Sequence, residues 1–400
     1  MIGQEFEVQF ERMSRDGGAV ARAPDGRVIF VQGGAPGDIA QVRVTEAHKR
    51  HFIGELVEIR VASPHRVTPP CVYFQTCGGC PWQHIDYPEQ LRQKTEMVRS
   101  TLQKFKTLSD SELARLEACA PSPKIWRYRQ RLSLHVGSAP GSALPKVGFR
   151  ARGTHDFVAV DDCRIGPEGA VQFALSLAPQ ALRNKKSSSE EPKIDVRMEN
   201  SELKSGAGFV QVNAEQNQRL QDYVSRAIRR RVTQDQGRAW TVYDLYGGSG
   251  NWSRPLVEQF EALQTPWRLR IVESHPSSEV EARRNFESAQ STSEWLRDWA
   301  FHSSDVETWI RRHREDSELG IFILNPPRQG LSPSVIERLA RRRDLVHLIM
   351  VSCDPNTLAR DLTSLRSMRK MELIAGASFD LFPHTDHVEV VTVWEIQKPS

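Results

Sequence analysis

The chain has 400 residues, of which 39% are hydrophobic and 26% are charged, and its formal net charge is +4. Such a length exceeds what one compact core supports, so we expect two or three domains. The sequence opens without the basic and apolar segments of a signal peptide, and it has no apolar run long enough to span a bilayer. These features argue against a membrane protein and predict a cytoplasmic protein, which we expect to be monomeric.

The first part of the chain is predicted to be all β. Apolar and polar positions alternate up to about residue 60, with turns at Asp16-Gly17-Gly18, Pro24-Asp25-Gly26 and Gly33-Gly34. Short strands at this spacing form small β-barrels. The segment resembles a TRAM domain, an OB-like barrel that binds RNA, and we place this domain at residues 1–62.

The next part, residues 63–195, is predicted to be a central α+β domain. After a proline-bounded connector at Pro64–Pro70 come a cysteine cluster, a helical pattern and then strands. Aromatic residues interleaved with basic ones can stack bases while the cations pair with phosphates. The segment therefore predicts contact with RNA rather than an ordinary solvated face. Seven basic residues and no Asp or Glu lie between Pro121 and His155, namely Lys124, Arg127, Arg129, Arg131, Lys146, Arg150 and Arg152.

The cysteines of a chain without a secretory signal are not expected to form disulfides. Cys71, Cys77 and Cys80 share a tight glycine-bearing loop, and Cys163 is available as a fourth ligand. Four thiolates suit either an iron–sulfur cluster or zinc. The five-residue gap after Cys71 is long for a zinc knuckle, so the spacing favours a [4Fe-4S] cluster. Cys119 lies outside every motif and is predicted to be structural.

The last part, residues 196–400, is predicted to be a Rossmann-like α/β domain, because apolar strands alternate with amphipathic helices from Thr241 onward. Ligands of such sheets bind at the carboxyl ends of the strands. The motif DLYGGSGN, residues 244–251, follows a strand and opens a helix, and Glu273 ends the next strand, where a carboxylate can bind ribose hydroxyls. The glycine spacing differs from the Gly-x-Gly-x-x-Gly of NAD sites. It favours S-adenosylmethionine, with Asp305 contacting the adenine amino group.

The motif Asn325-Pro326-Pro327-Arg328 leaves two chemistries open. Asn-Pro-Pro followed by an aromatic residue is typical of methylases that act on exocyclic amines. Here the fourth residue is Arg328, which cannot stack a flipped base as tyrosine would. The amine methylase therefore remains as the alternative, with adenine or guanine as the product base.

The motif Val351-Ser-Cys353-Asp354-Pro355 favours the other chemistry, which is methylation of uridine. It places a thiol at the end of a strand and just before a helix, whose amino terminus favours thiolate. Carbon 5 of uracil is too poor a nucleophile to attack a methyl group until a thiolate adds to carbon 6. A base must then remove the proton on carbon 5. Glu389 is our first candidate for this base and His387 the second.

Together these motifs resemble the bacterial RNA uracil-5-methyltransferase family, particularly its iron–sulfur 23S ribosomal RNA members, over nearly the whole chain. The resemblance rests on CVYFQTCGGCPWQHI, WRYRQR, GFVQVN, DLYGGSGN, NPPRQGL, VSCDPNTLARDL and FPHTDHVEVV. It implies Cys353 as nucleophile, Glu389 as base, and a [4Fe-4S] cluster held by Cys71, Cys77, Cys80 and Cys163. It also implies S-adenosylmethionine as methyl donor, with contacts from Gln211, Tyr246, Asn251, Glu273, Asp305 and Asn325.

One departure from the family concerns Asn325, where the usual residue is Asp. An amide can contact the uracil edge and the donor, but it cannot hold a negative charge. This change leaves room for a third hypothesis, an inactive RNA-binding homologue. Members with both the barrel and the cluster mostly modify ribosomal RNA, so the resemblance implies 23S rRNA as the partner, with tRNA as the alternative.

Overall fold

The computed structural model describes residues 2–138, 144–184, 191–206, 211–234, 237–315 and 319–397. The chain divides into two compact units, each assembled from separate stretches of sequence. The first unit comprises Met1–Met97, Pro121–Asn217 and Asp380–His387, and the second comprises Val98–Ala120, Gln218–Phe379 and Val388–Ser400.

The first unit begins with a six-stranded sheet in the order β1-β5-β6-β4-β3-β2, in which only the described pair β4 and β6 is parallel. Alternate residues of its strands are buried, as in Val42 and Val44 of β5, and Phe10 and Trp82 complete the core. This confirms the predicted amino-terminal β-domain. The strands are β1 Glu5–Gln9, β2 Arg12–Met13, β3 Ala19–Arg22, β4 Val28–Val31, β5 Ile39–Ala47 and β6 His51–Val61.

The first unit also contains a five-stranded antiparallel sheet in the order β11-β10-β7-β8-β9. The helix α3, Ala170–Arg183, packs its apolar residues, Ala174 and Ala178 among them, against this sheet. The arrangement is the expected α+β fold. The strands are β7 Arg131–Ser138, β8 Pro145–Arg150, β9 Phe157–Ala159, β10 Lys193–Glu199 and β11 Glu202–Ser205.

The second unit is built on a seven-stranded sheet in the order β14-β13-β12-β15-β16-β18-β17. The first five strands of this order are parallel, and β18 runs antiparallel to both of its neighbours. Every residue of β12 is buried, as expected where helices cover both faces of a parallel sheet. The predicted Rossmann-like fold is thus confirmed. The strands are β12 Trp240–Leu245, β13 Trp267–Glu273, β14 Leu296–Ser303, β15 Leu319–Leu324, β16 Leu345–Ser352, β17 Met371–Phe379 and β18 Glu389–Ile396.

The helices connect these strands, and most of the longer ones are amphipathic. In the described residues, none of them combines the length and the apolar character needed to cross a membrane. Besides α3 they are α1 Tyr87–Lys104, α2 Asp110–Leu113, α4 Ala214–Gln234, α5 Leu256–Ala262, α6 Pro276–Thr292, α7 Val306–Arg312, α8 Pro333–Arg341 and α9 Pro355–Met368.

Candidate active site

The glycine-rich loop that follows β12 is shaped by close backbone contacts. A Cβ atom on Gly250 would lie 2.4 Å from the Phe286 ring, and one on Gly247 would lie 2.8 Å from the Asp244 carboxyl carbon. Both values are below any ordinary van der Waals distance, and Gly250 also has a positive φ of 87°. At Gly248, by contrast, the Cβ position is open. Glycine is therefore required by packing at two positions, whereas the third leaves the backbone free to approach a ligand.

Asp244, the second-last residue of β12, is fully buried and helps to hold the glycine-rich loop in place. One of its carboxylate oxygens accepts a hydrogen bond of 2.7 Å from the Ser253 hydroxyl. Burial raises the pKa of Asp244 to about 7, and the charge of nearby Glu273 raises it further, whereas the Ser253 hydrogen bonds lower it. Asp244 therefore acts on the shape of the loop, a role that the sequence motif alone did not assign.

The residues predicted to contact the methyl donor lie at the carboxyl ends of adjacent strands of the second unit. Glu273 ends β13 and accepts hydrogen bonds from the backbone amides of Gly248, at 3.3 Å, and His275, at 2.8 Å. Asn251 accepts from the Gln221 side-chain amide at 3.0 Å. Asp305 caps α7 by accepting from the Thr308 amide at 2.8 Å. These positions follow β12, β13 and β14, where the fold family places ligands.

The other residues predicted to contact the methyl donor are Tyr246, Asn325 and Gln211, and they do not all belong to the second unit. Tyr246 has a positive φ of 59°, an unusual conformation for a bulky residue, and it follows directly after β12. Asn325 follows β15 and donates from its backbone amide to the Leu245 carbonyl at 3.3 Å, which joins the ends of β12 and β15. Gln211 belongs to the first unit, so its role stays a prediction.

A cavity of about 580 Å³ opens beside these strand ends. Tyr246, Asp305, Pro327 and Arg360 are among the residues that line it. The volume lies within the range of small-molecule sites, about 300–1,000 Å³. Two of the predicted donor contacts, Tyr246 and Asp305, thus lie at a cavity large enough for a nucleoside-sized ligand.

Cys353 and Glu389 lie at the same end of paired strands. β16 and β18 are antiparallel, and Ser352 is paired with Val390, so the residues that follow and precede this pair are neighbours. Glu389 is only 8% exposed. Burial raises its pKa to about 8, opposed by the positive charge of Arg328. The sequence predicted the thiol and the carboxylate separately, and the strand register brings them together.

The environment of Cys353 differs from the expected one in one respect. The sequence predicted that the amino terminus of α9 would favour thiolate, yet the Asp354 carboxylate already accepts from the Asn356 and Thr357 amides, at 2.8 and 3.4 Å. Burial raises the pKa of Cys353, the charge of Glu389 raises it further, and Arg328 lowers it. The cation near both reacting groups is thus Arg328, a residue that the sequence analysis considered only for its inability to stack.

The segment that precedes Glu389 is held by buried polar contacts inside the first unit. Lys94 and Asp380 form an ion pair of 2.6 Å, and both side chains are fully buried. His384 donates its backbone amide to Gln90 at 2.9 Å, and its ring stacks on Trp126 at 3.9 Å between centroids. His387, our second candidate base, also belongs to this unit. The sequence did not predict these buried contacts of Asp380 and His384, because their partners Lys94, Gln90 and Trp126 are distant in the sequence.

The four predicted cluster ligands, Cys71, Cys77, Cys80 and Cys163, line one cavity of about 80 Å³ in the first unit. Burial raises the pKa of Cys80 to about 12, and the charges of Cys163 and Cys77 raise it further. Among the described residues, however, no group of three or more His, Cys, Asp or Glu side chains could hold a metal ion. Cys119 is buried in the second unit, apart from these four.

The basic stretch predicted to contact RNA is largely neutralised in the folded chain. Carboxylates from elsewhere in the first unit pair with four of its seven cations, so it is not a free surface of one sign. This pairing weakens the charge argument for RNA contact there. The pairs are Lys124 with Glu215, Arg127 with Asp162 at 2.6 Å, Arg131 with Asp195 at 3.0 Å, and Arg150 with Glu191.

Comparison with known proteins assigns the amino-terminal and the carboxyl-terminal parts of the chain to two families. Residues 1–61 match the TRAM domain family, and residues 189–397 match the tRNA (Uracil-5-)-methyltransferase family. The chain is 32% identical to an uncharacterized RNA methyltransferase of Bdellovibrio bacteriovorus, over 98% of this chain and 95% of that protein. It is 26% identical to the 23S rRNA (uracil(1939)-C(5))-methyltransferase of Shewanella amazonensis, over 99% of this chain and 96% of that protein.

The fold is also similar to a solved structure. This is the Pyrococcus abyssi tRNA (uracil-54, C5)-methyltransferase in complex with S-adenosyl-L-homocysteine, with a TM-score of 0.67 and 21% identity over 97% of this chain and 99% of that chain. The likeness concerns the fold, and the family follows from the sequence matches. The chain is therefore a member of the tRNA (uracil-5-)-methyltransferase family, an RNA (uracil-5-)-methyltransferase that uses S-adenosylmethionine and carries an amino-terminal TRAM domain.

Proposed function

We propose that this enzyme methylates carbon 5 of a uridine through a covalent bond between Cys353 and carbon 6 of the base. The observation that carries the proposal is the placement of a buried carboxylate, Glu389, beside this thiol at the ends of β16 and β18. Arg328 interacts electrostatically with both groups. A nucleophile, a base and a cation are the components that this chemistry needs.

In the first step the Cys353 thiolate adds to carbon 6 of uracil, and the electron pair of the carbon 5–carbon 6 double bond moves onto the ring as an enolate. Arg328 favours this step because its positive charge lowers the pKa of the thiol and opposes the effect of burial. S-adenosylmethionine, when bound, supplies the methyl group that carbon 5 then takes up. Tyr246, Asn251, Glu273, Asp305 and Asn325 are the residues of the second unit that we propose hold it.

In the second step the Glu389 carboxylate accepts the proton from carbon 5. The electrons of that C–H bond re-form the ring double bond, and the Cys353 thiolate leaves carbon 6. A carboxylate with a pKa of about 8 is a much stronger base than an exposed one, because burial destabilises its charged form. Glu389 is therefore better suited to remove a carbon-bound proton than an ordinary glutamate would be.

Two variants test the covalent mechanism in opposite directions. Cys353→Ala should abolish methyl transfer while binding S-adenosylmethionine normally, because the thiol reacts with the base and not with the donor. Glu389→Gln should instead accumulate a protein–RNA adduct that survives denaturing electrophoresis, since the adduct forms but cannot lose its proton. Cys119→Ala is the matched thiol control and should keep its activity. Turnover by Cys353→Ala, or the absence of an adduct in Glu389→Gln, would refute the mechanism.

We further propose 23S ribosomal RNA as the substrate. The Shewanella relative named for this activity aligns with 99% of this chain, including the TRAM domain and the cysteine-bearing segment. Transfer RNA is the alternative, in keeping with the family name and the Pyrococcus structure. Incubation with labelled S-adenosylmethionine and undermodified RNA of each kind, followed by digestion to nucleosides, distinguishes the two by the RNA in which labelled 5-methyluridine is found.

Finally, we propose that residues 63–195 hold a [4Fe-4S] cluster through Cys71, Cys77, Cys80 and Cys163. These cysteines are partly buried and line one cavity, and four thiolates in one place require a cationic partner such as a metal centre. A single zinc ion would need them within about 2.3 Å of one point. The five-residue gap after Cys71 is long for a zinc knuckle, so we favour the cluster over zinc.

The measurement that tests the cluster is iron and acid-labile sulfide in protein purified without oxygen. We expect both, with a broad visible absorption that a Cys80→Ala variant lacks and Cys119→Ala retains. Zinc in the wild-type protein, or no metal at all, would contradict the proposal.

A further inference from the structure

Arg129 and Arg152 differ from the other basic residues of the 121–155 segment because part of each guanidinium group is buried without a partner. Neither Arg129 nor Arg152 forms an ion pair with a carboxylate of the described residues, although four neighbours on the same segment do. In each of the two, the Nε atom is buried and has no hydrogen-bond partner. A buried guanidinium donor without a partner is costly, so these two N–H groups indicate a missing acceptor.

Both arginines lie against the cavity of the four cysteines. Arg129 lines that cavity directly, together with Cys80 and Cys163. Arg152 lies beside the cysteine loop, because Ala151 is bridged to Cys77 and the Arg152 amide donates to Thr76 at 3.2 Å. Its guanidinium stands 5.3 Å from the centroid of the Phe74 ring, another wall of the cavity. Both unpartnered donors therefore belong to residues that lie next to the cysteines.

We propose that Arg129 and Arg152 donate hydrogen bonds to the sulfur atoms of the cluster site and compensate its negative charge, so that they set its reduction potential. The inference rests on the proposed cluster. Four thiolates make such a site anionic, and hydrogen bonds to the sulfurs and local charge are among the factors that tune cluster potentials. A fixed positive charge favours the form that carries one more electron. Removing either charge should therefore make the cluster harder to reduce.

The experiment measures the midpoint potential of the cluster in the full-length protein, by titration with dithionite under anaerobic conditions and electron paramagnetic resonance. Arg129→Gln and Arg152→Gln each remove a charge. Arg131→Gln and Arg150→Gln are the matched controls, since each lies two residues away on the same segment but is paired with a carboxylate. Iron and sulfide are measured on every variant, so that the occupancy of the site is known separately from its potential.

At the potential that half-reduces the wild-type cluster, we expect each of Arg129→Gln and Arg152→Gln to be reduced to roughly a tenth, whereas the controls stay near one half. Loss of iron from Arg129→Gln or Arg152→Gln, while the controls keep theirs, also supports the contact. In that case the midpoint potential is measured on the variant with lysine at the same position, which keeps the positive charge. Potentials equal to those of the controls in cluster-bearing variants would overturn the inference alone. Wild-type protein without iron and sulfide would overturn the cluster proposal and this inference with it.

Discussion

Replacing Glu389 with glutamine should stabilise the folded protein at alkaline pH while removing activity. A carboxyl group whose pKa is raised by folding binds its proton more tightly in the folded state. The stability that it contributes is fully present below the pKa of the unfolded chain and is lost as the pH rises through the folded value. For Glu389 this window runs from 4.5 to about 8. Glutamine has no proton to lose, so the variant lacks this pH-dependent loss.

The size of the effect follows from the same two values. A change from 4.5 to about 8 amounts to at most about 5 kcal/mol of stability lost above pH 8, at about 1.4 kcal/mol for each unit. At pH 7 the loss should be about 3 kcal/mol. Any change in packing or hydrogen bonding caused by the amide adds the same amount at every pH, so the slope of the difference against pH isolates the ionisation of Glu389.

The assay is urea unfolding of the wild type and Glu389→Gln at pH 5, 7 and 9 under anaerobic conditions, with the midpoint compared at each pH. The variant should gain on the wild type as the pH rises. Glu395→Gln, at an exposed position near the other end of the same strand, is the control and should show no such trend. A difference between Glu389→Gln and wild type that does not change with pH, or that changes in the wild type's favour, would refute the reasoning.

Three further predictions concern the ion pair of Lys94 and Asp380, the pH dependence of the reaction and Asn325. Lys94→Met should destabilise the protein by about 3–5 kcal/mol, measured by urea unfolding, because it leaves the fully buried Asp380 without its partner, and Lys94→Met with Asp380→Leu should recover much of that loss. The single-turnover rate of methyl transfer should rise with pH toward about 8, as the neighbouring pair of Cys353 and Glu389 loses its first proton, and a rate that is flat from pH 6 to 9 would contradict this. Asn325→Asp should lower KM for RNA by roughly fivefold if a carboxylate binds the uracil edge more strongly than the amide. An unchanged KM would place residue 325 outside the base contact.

The positions of the strand-end residues could be predicted from the sequence because they depend on local patterns. An apolar strand followed by glycines or by Asn-Pro-Pro marks where a buried strand ends, and ends of parallel strands meet on one side of a sheet. Glu273, Asp305 and Asn325 were placed in this way, and the observed sheet has each of them at the expected end. Family membership then excludes the amine methylase that the Asn325 motif had left open.

The electrostatic environment could not be predicted in the same way, because it depends on residues distant in sequence. Arg127 and Arg131 belong to a stretch without acidic residues, yet Asp162 and Asp195 lie beside them in the folded chain. The run of basic residues indicated a free positive face, and the pairing removes much of it. Likewise, the position of Cys353 before α9 predicted that the helix amino terminus would favour thiolate. In the structure, however, the Asp354 carboxylate accepts hydrogen bonds from the amides at that end of the helix.

The proximity of Cys353 and Glu389 limits how charge can move during the proposed reaction. Both pKa values are raised, and the charge of Glu389 is one cause of the raised Cys353 pKa, so the pair favours one anion at a time. The reaction can begin with thiolate and protonated Glu389. Once the adduct forms, the thiolate charge has moved onto the base, and methyl transfer then neutralises it. Glu389 can now release its proton to solvent and accept the one on carbon 5, which returns the negative charge to the departing thiolate.

One proton is therefore released to solvent for each methyl group transferred. Because Glu389 is buried, that proton needs a path to solvent, and the rate at which the methylated adduct breaks down should therefore respond to the buffer as well as to pH.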